Sequence, residues 1–221
     1  MPNLSNLIRS SEPLELTIIM AITELKTKQN NMFTLDRCTA VPSIIGDPSE
    51  FLIIAGLSGT AKDIGQLTDE SPNAFLLGGA MGAAVTMALG LALSQTDRKV
   101  LAVFGDGECL MNSSSLSTVG FVQPSNLSLL CVDNGTYGET GNQLTHTANN
   151  ADLEIIANGS GIEKTMTVTS EADYEAASNL LRDQTAPTFV LLSVNQGDPP
   201  DYRRNFDAVD RKNIFRRHLL S

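Results

Sequence analysis

Residues 104–141 read FGDGECLMNSSSLSTVGFVQPSNLSLLCVDNGTYGETG, and this stretch decides the fold. An apolar run over 100–104 enters it and breaks at Gly105-Asp106-Gly107. A Ser-rich segment with helical spacing follows, then a second apolar run over 127–132 that breaks at Asp133-Asn134-Gly135. Two buried strands joined through a helix make a βαβ unit, because a parallel pair needs a long crossover. In an open parallel sheet the carboxyl ends of neighbouring strands face one crevice, where ligands bind. The pattern therefore predicts that Asp106 and Asn134 approach one another despite their separation in sequence. A carboxylate and an amide oxygen are hard ligands suited to Mg²⁺, which uses few protein carboxylates and takes phosphate oxygens for much of the remainder.

Upstream, FLIIA over 51–55 reads as a buried strand ending in Gly56-Leu57-Ser58-Gly59-Thr60. Small residues there permit close backbone approach to a ligand, and Ser58 or Thr60 either meets a phosphate or caps the next helix. A short apolar run over 74–77 precedes Gly78-Gly79-Ala80-Met81-Gly82, which opens a helix of small residues, AAVTMALGLAL. The glycines lack the G-x-G spacing of a dinucleotide fingerprint, which argues against an adenine dinucleotide binder.

Downstream, a helix is expected over 152–158, closed by Gly159 and Gly161. A strand over 163–168 follows, then a helix through Leu181 with Ser170 and Asp173 in capping-box spacing. A strand over 187–194 comes next; the segment QGDPPDY is expected to leave the fold before a basic amphipathic helix over 207–220. At the other end, 1–12 reads as a polar arm and 13–221 as a single domain. Pro13 sits in the first turn of a helix over 12–28. Residues 29–50, with MFTL and VPSII, read as extra material or a short strand. The fold class expected is α/β, a three-layer parallel sheet with helices on both faces.

The formal charge of -10 over 221 residues argues against nucleic acid, whose phosphates require clustered cations. Arg203, Arg204, Arg211, Lys212, Arg216 and Arg217 gather near the C-terminus among acids, which reads as a solvated helix or a partner contact. Cys38, Cys109 and Cys131 show no metal spacing, and an odd count suits reduced thiols in the cytoplasm. The apolar run over 16–22 is too short to span a bilayer, so no membrane partner is expected.

GDG, an interval of 26 residues from Gly107 to Asn134, the preceding GGAMG and the ending DNGTYGETGNQ together resemble thiamine diphosphate-dependent enzymes. The likeness covers roughly 50–220, and it is closest to the pyrophosphate-binding half of the sulfopyruvate and phosphonopyruvate decarboxylase group. The resemblance implies thiamine diphosphate and Mg²⁺ as cofactors, with Asp106, the Asn134 side chain and the Thr136 backbone oxygen as metal ligands. It implies cofactor contacts at Ser58, Gly79, Ala80, Met81, Gly105, Gly107, Glu108, Tyr137 and Gly138. Among these, Gly107 and Glu108 offer backbone N–H groups to the diphosphate, Met81 lies under the folded cofactor and Gly79 accepts from the aminopyrimidine. His146 and Glu139 are candidates for a part in catalysis.

The same resemblance implies decarboxylation of a small 2-oxo acid to an aldehyde and CO₂. The activating glutamate of such enzymes resides in a pyrimidine-binding domain of about 150 residues, for which this chain has no room. A separate pyrimidine-binding subunit is therefore expected, in a hetero-oligomer such as a heterotetramer, with 78–93 and 136–147 in contact. A carboligase subunit and a non-catalytic cofactor-binding subunit are the alternatives. Beyond His146 the sequence near the motif offers no cation for an anionic substrate tail, so that charge is expected from the partner.

Overall fold

In a computed structural model describing residues 34–221, the apolar runs become the centre of one parallel sheet. The expected arm over 1–12 and helix over 12–28 lie outside the described residues. The strands are β1 (Phe51–Ala55), β2 (Ala74–Leu76), β3 (Lys99–Gly105), β4 (Leu127–Asp133), β7 (Lys164–Val168) and β8 (Thr188–Ser193). A two-stranded antiparallel ribbon, β5 (Thr136–Tyr137) and β6 (Gln143–Leu144), stands apart. Strand order in the main sheet is β2-β1-β3-β4-β8-β7, all parallel. Every residue of β1, β4 and β8 is buried. Continuous burial is what a parallel sheet covered on both faces demands, and it explains why these segments lack polar alternation.

Alternate residues of each strand feed two apolar layers. Leu52, Ile54, Ala102, Phe104, Leu129 and Phe189 face α3 (Ala84–Ser94), α5 (Ser114–Val122), α6 (Leu153–Gly159) and α8 (Ala208–Leu219). Phe51, Ile53, Leu101, Leu130 and Val190 face α1 (Arg37–Ile45), α2 (Gly59–Thr68) and α7 (Tyr174–Leu181). Each large aliphatic or aromatic side chain fully buried this way contributes about 1.5–3 kcal/mol. The expected three-layer α/β architecture is therefore what forms.

After β1 the chain moves outward through α2 to β2, then returns through α3 to β3 on the other side of β1. The helices that follow β1 and β3, α2 and α5, pack on opposite faces. This reversal opens a crevice beyond the carboxyl ends of β1 and β3, the place where doubly wound sheets bind ligands. A short helix, α4 (Asp106–Met111), starts at that crevice.

Two expectations are corrected. VPSII belongs to α1, a helix capped by Asp36, whose side chain accepts from the Cys38 N–H. Pro42 sits inside this helix and forgoes a backbone donor, yet Ala40, Val41, Ile44 and Ile45 are fully buried around it. Burial of that face outweighs the poor helix propensity of proline. The segment after β8 does not leave the fold either: Tyr202 packs on Gly65, where a Cβ would stand 2.5 Å from its ring.

The C-terminal helix is not merely solvated. Its Arg211 is 7 % exposed, lies 3.2 Å from Glu70 and donates to the backbone oxygen of Ala74 at 3.1 Å. Phe215 stacks at a tilt on Phe75, with centroids 5.6 Å apart.

Candidate cofactor site at the sheet's carboxyl edge

β1 ends at Gly56, whose N–H donates to Val103 of β3 at 2.7 Å, so the two strand ends are stitched together. Ser58 follows at φ 63, a backbone conformation few non-glycine residues adopt. It stands at the N-cap of α2, but its side chain makes no capping hydrogen bond. Its hydroxyl is thus left for the cavity of about 400 Å³ that it lines.

That cavity gathers most of the residues the sequence singled out. Ser58, Met81, Gly105, Asp106, Gly107 and Glu108 line it from one side, and Asn134, Thr136, Tyr137, Gly138 and Glu139 from the other. The pairing of Gly105 with Val132 across β3 and β4 sets Asp106 and Asp133 at neighbouring strand ends. Gly79 instead lines a second, adjoining cavity, which shares Leu57, Ser58, Lys62 and Glu139 with the first. Ala80 is exposed and borders neither. His146 is also exposed and borders neither.

The residues flanking His146 had given no signal, yet they hold the acid in place. Thr145 and Thr147 are buried, and both hydroxyls donate to Oδ2 of Asp106, at 2.5 and 3.1 Å. Thr147 also lies 2.8 Å from Oδ1 of Asp133. The alternation Thr-His-Thr puts both hydroxyls on one side and the imidazole on the other. A sequence reader looking for titratable groups therefore picks the wrong one of the three.

Asp106 is 2 % exposed and Asp133 3 % exposed. Burial raises the Asp106 carboxyl above its ordinary range, against the pull of the two threonine hydroxyls. Burial and the neighbouring Asp106 push Asp133 up to about 7. Among the described residues neither acid forms an ion pair. Two buried carboxyls with no cation beside them make a place where a cation lowers the energy.

No group of three or more His, Cys, Asp or Glu side chains clusters at metal distance among the described residues. A cation here would draw on one carboxylate, the Asn134 amide, backbone oxygen and the ligand itself. That donor set fits Mg²⁺ carrying a diphosphate, not an all-protein cage.

The walls fit a polar ligand in other respects. The Thr136 hydroxyl and Oε2 of Glu108 are buried without hydrogen-bond partners. A Cβ on Gly107 would come within 2.3 Å of the Tyr137 ring, so only glycine lets that ring lie over the start of α4. Glu108 accepts from the Gly82 N–H at 3.1 Å, and Asn112 donates to the Gly82 oxygen at 2.8 Å. Together they tether the glycine loop ahead of α3 to the cavity wall. Burial holds the Glu108 carboxyl above its ordinary range. Arg37, paired with the buried Asp63 of α2 at 2.5 Å, completes the wall.

A sulfopyruvate decarboxylase subunit beta from Methanocaldococcus jannaschii is 37% identical over 65% of this chain and 75% of its own length. A phosphonopyruvate decarboxylase from Streptomyces viridochromogenes is 33% identical over 73% of this chain but only 40% of its own length. A thiamine diphosphate-dependent 4-hydroxybenzoylformate decarboxylase from Rhodococcus jostii superposes with a TM-score of 0.61 at 20% identity, covering 75% of this chain and 33% of that one. The last shows a shared fold. Residues 63–192, more than half of the sequence, match the family described as thiamine pyrophosphate enzyme, C-terminal TPP binding domain, and the chain belongs to that family.

Proposed function

We propose that this chain is the pyrophosphate-binding subunit of a thiamine diphosphate- and Mg²⁺-dependent 2-oxo acid decarboxylase, which releases CO₂ and an aldehyde. The observation that carries the reading is the buried, cation-free Asp106 facing one cavity with Asn134 at the ends of adjacent strands. In this reading Asp106, Asn134 and the Thr136 backbone oxygen hold the metal. Ser58, Gly105, Gly107, Glu108, Tyr137 and Gly138 receive the diphosphate end, and Gly79, Ala80 and Met81 the ring end. The bound cofactor supplies the electron sink for loss of CO₂.

The protein's share is positional. Thr145 and Thr147 fix the rotamer of Asp106, so that its carboxylate meets the metal without reorganising. Met81 and the apolar ends of β1 and β4 keep bulk water from the ring end. Glu139 lines both cavities and is the candidate placed to exchange a proton there, whereas the exposed His146 borders neither.

Residues 13–221 are read as a single pyrophosphate-binding domain. A relative named as a subunit is matched over most of its length, and one with no subunit designation over two fifths. Both coverages support a separate partner, in a hetero-oligomer, that supplies the activating glutamate. The 78–93 segment suits that contact: Met87 and Leu93 are exposed apolar side chains on α3. No described helix is long and apolar enough to cross a membrane.

The test is a calorimetric titration of thiamine diphosphate with and without Mg²⁺, followed by a 2-oxo acid screen of the chain co-expressed with a pyrimidine-binding subunit. Mg²⁺-dependent binding that Asp106→Asn weakens at least a hundredfold is expected, with aldehyde formed only by the assembly. Binding indifferent to Mg²⁺ and to Asp106→Asn would refute the site. Turnover by the chain alone would refute the two-subunit arrangement.

A further inference from the structure

The second cavity, of about 630 Å³, opens beside Gly78 and Gly79 and is walled by Lys62, Arg203 and Arg204. In a chain of net charge -10, three cations around one cavity form a local reversal of sign. Among the described residues none of the three forms an ion pair, although Glu139 and Asp201 also border the cavity.

Arg204 donates to the backbone oxygens of Leu77 and Leu76, at 3.0 and 3.5 Å, and lies over the Phe206 ring at 4.8 Å. Its Nε is buried with no partner, and burial lowers its pKa from the usual value. The guanidinium bonds only neutral carbonyls; Glu70 and Glu139 favour its charge from a distance without pairing with it, and it keeps donors to spare. The segment carrying it is fixed on both sides. Tyr202 Oη donates to Asp69 at 3.3 Å, and the Asn205 N–H donates to Glu70 at 2.7 Å. The cations are therefore presented by a braced strap that brings residues from the far end of the chain to the mouth of the cofactor cavity.

We propose that Lys62, Arg203 and Arg204 form the subsite for a second anionic group on the substrate, a tetrahedral sulfonate or phosphonate at C3 of a 2-oxo acid. The assignment rests on the decarboxylase reading. It places within this chain the positive charge that sequence reasoning had left to the partner. The two cavities share Ser58, Lys62 and Glu139, and of the residues assigned to the ring end Met81 borders the first and Gly79 the second. Charged fork donors suit a tetrahedral oxyanion, and a substrate lacking it would leave them unanswered.

The test titrates the full chain, assembled with its partner subunit, with 3-sulfopropionate, 3-phosphonopropionate and propionate, each with and without thiamine diphosphate and Mg²⁺. The two doubly acidic probes are expected to bind at least about tenfold more tightly than propionate. Arg203→Gln and Lys62→Gln, changes outside the Arg204 carbonyl contacts, each reduce that preference about three- to tenfold. Cofactor affinity of Arg203→Gln stays within about twofold; Lys62, which walls both cavities, is read for the probe preference alone. Equal binding of the three probes, or a preference untouched by both substitutions, overturns the subsite. Parallel loss of cofactor affinity in Arg203→Gln also overturns it, because the wall would then serve the diphosphate. Absence of Mg²⁺-dependent cofactor binding in the unaltered protein instead defeats the decarboxylase reading, and the cofactor-free titration still decides the wall.

Discussion

Replacing Gly56 by alanine tests whether Glu108 is a fixed part of the wall. A Cβ at position 56 would fall 1.9 Å from Oε2 of Glu108 and 2.8 Å from its Cδ. Ordinary contacts begin near 3.4 Å, so the carboxyl must retreat by more than an ångström. It has little freedom to do so, being 6 % exposed and tied to the Gly82 N–H. Overpacking of this kind costs about 1–3 kcal/mol, and loss of the Gly82 bond adds about 1 kcal/mol. Gly56→Ala is therefore expected to destabilise the chain by about 2–4 kcal/mol. Glu108→Ala alone removes the obstacle and strands the Gly82 N–H, costing about 1–3 kcal/mol. The double variant incurs only the Glu108→Ala cost, because the obstacle is gone and the Gly82 bond is lost once, giving an interaction energy of about 2–4 kcal/mol in the relieving direction. Urea denaturation of the four proteins, with slopes compared to exclude a change in the unfolded state, supplies the cycle. Costs that add to within about 0.5 kcal/mol would show that the two residues are independent, and would refute the packing account of Gly56.

Other outcomes follow from the same geometry. At Gly120 on α5 a Cβ would stand 1.9 Å from the Ser160 backbone oxygen, whereas at Gly90 on α3 it would meet nothing within 4 Å. Gly120→Ala should lower the thermal midpoint by several degrees, and Gly90→Ala should raise stability by about 0.5–1 kcal/mol through helix propensity. Equal effects would contradict the model of the α5–α6 contact. In metal-free protein, the folded Asp133 carboxyl titrates at about 7 against an ordinary 3.8. The folded state thus binds the extra proton, so this contribution is whole below pH 4 and is lost as pH rises through 7. Stability should fall by up to about 1.4 kcal/mol per pH unit in that window, and Asp133→Asn should flatten the profile. A profile unchanged by the substitution would remove Asp133 from the coupled pair.

The core of the fold was legible because β1, β3, β4 and β8 are mostly apolar runs, the first three stopping at glycine or aspartate. Burial on both faces leaves no other way to write such strands. Asp106 and Asn134 were legible for the same reason, as polar residues at the end of apolar runs. What escaped the sequence was whatever depends on distance along the chain. Thr145 and Thr147 look like ordinary loop hydroxyls until the fold returns them to Asp106, 39 and 41 residues earlier. Arg204 reads as part of a basic tail, and only the contact with Leu77, 127 residues away, turns it into a cavity wall. Helix α1 was obscured by Pro42, a local signal against helix that tertiary burial overrides.

The strap over 196–206 also sets the order in which the molecule becomes competent. All six strands of the sheet precede it, so a nascent chain can pair its whole sheet before the last wall is laid and before Phe215 of α8 closes one apolar layer. Gln196, Gly197 and Asp198 are exposed at its root, where a protease would find them. One nick there would leave a folded sheet with Asp106 intact, and Arg203 and Arg204 held only through the Tyr202, Asn205, Arg211 and Phe215 contacts. Such a clipped protein would look native by its spectrum while one wall of its second cavity rested on non-covalent contacts alone.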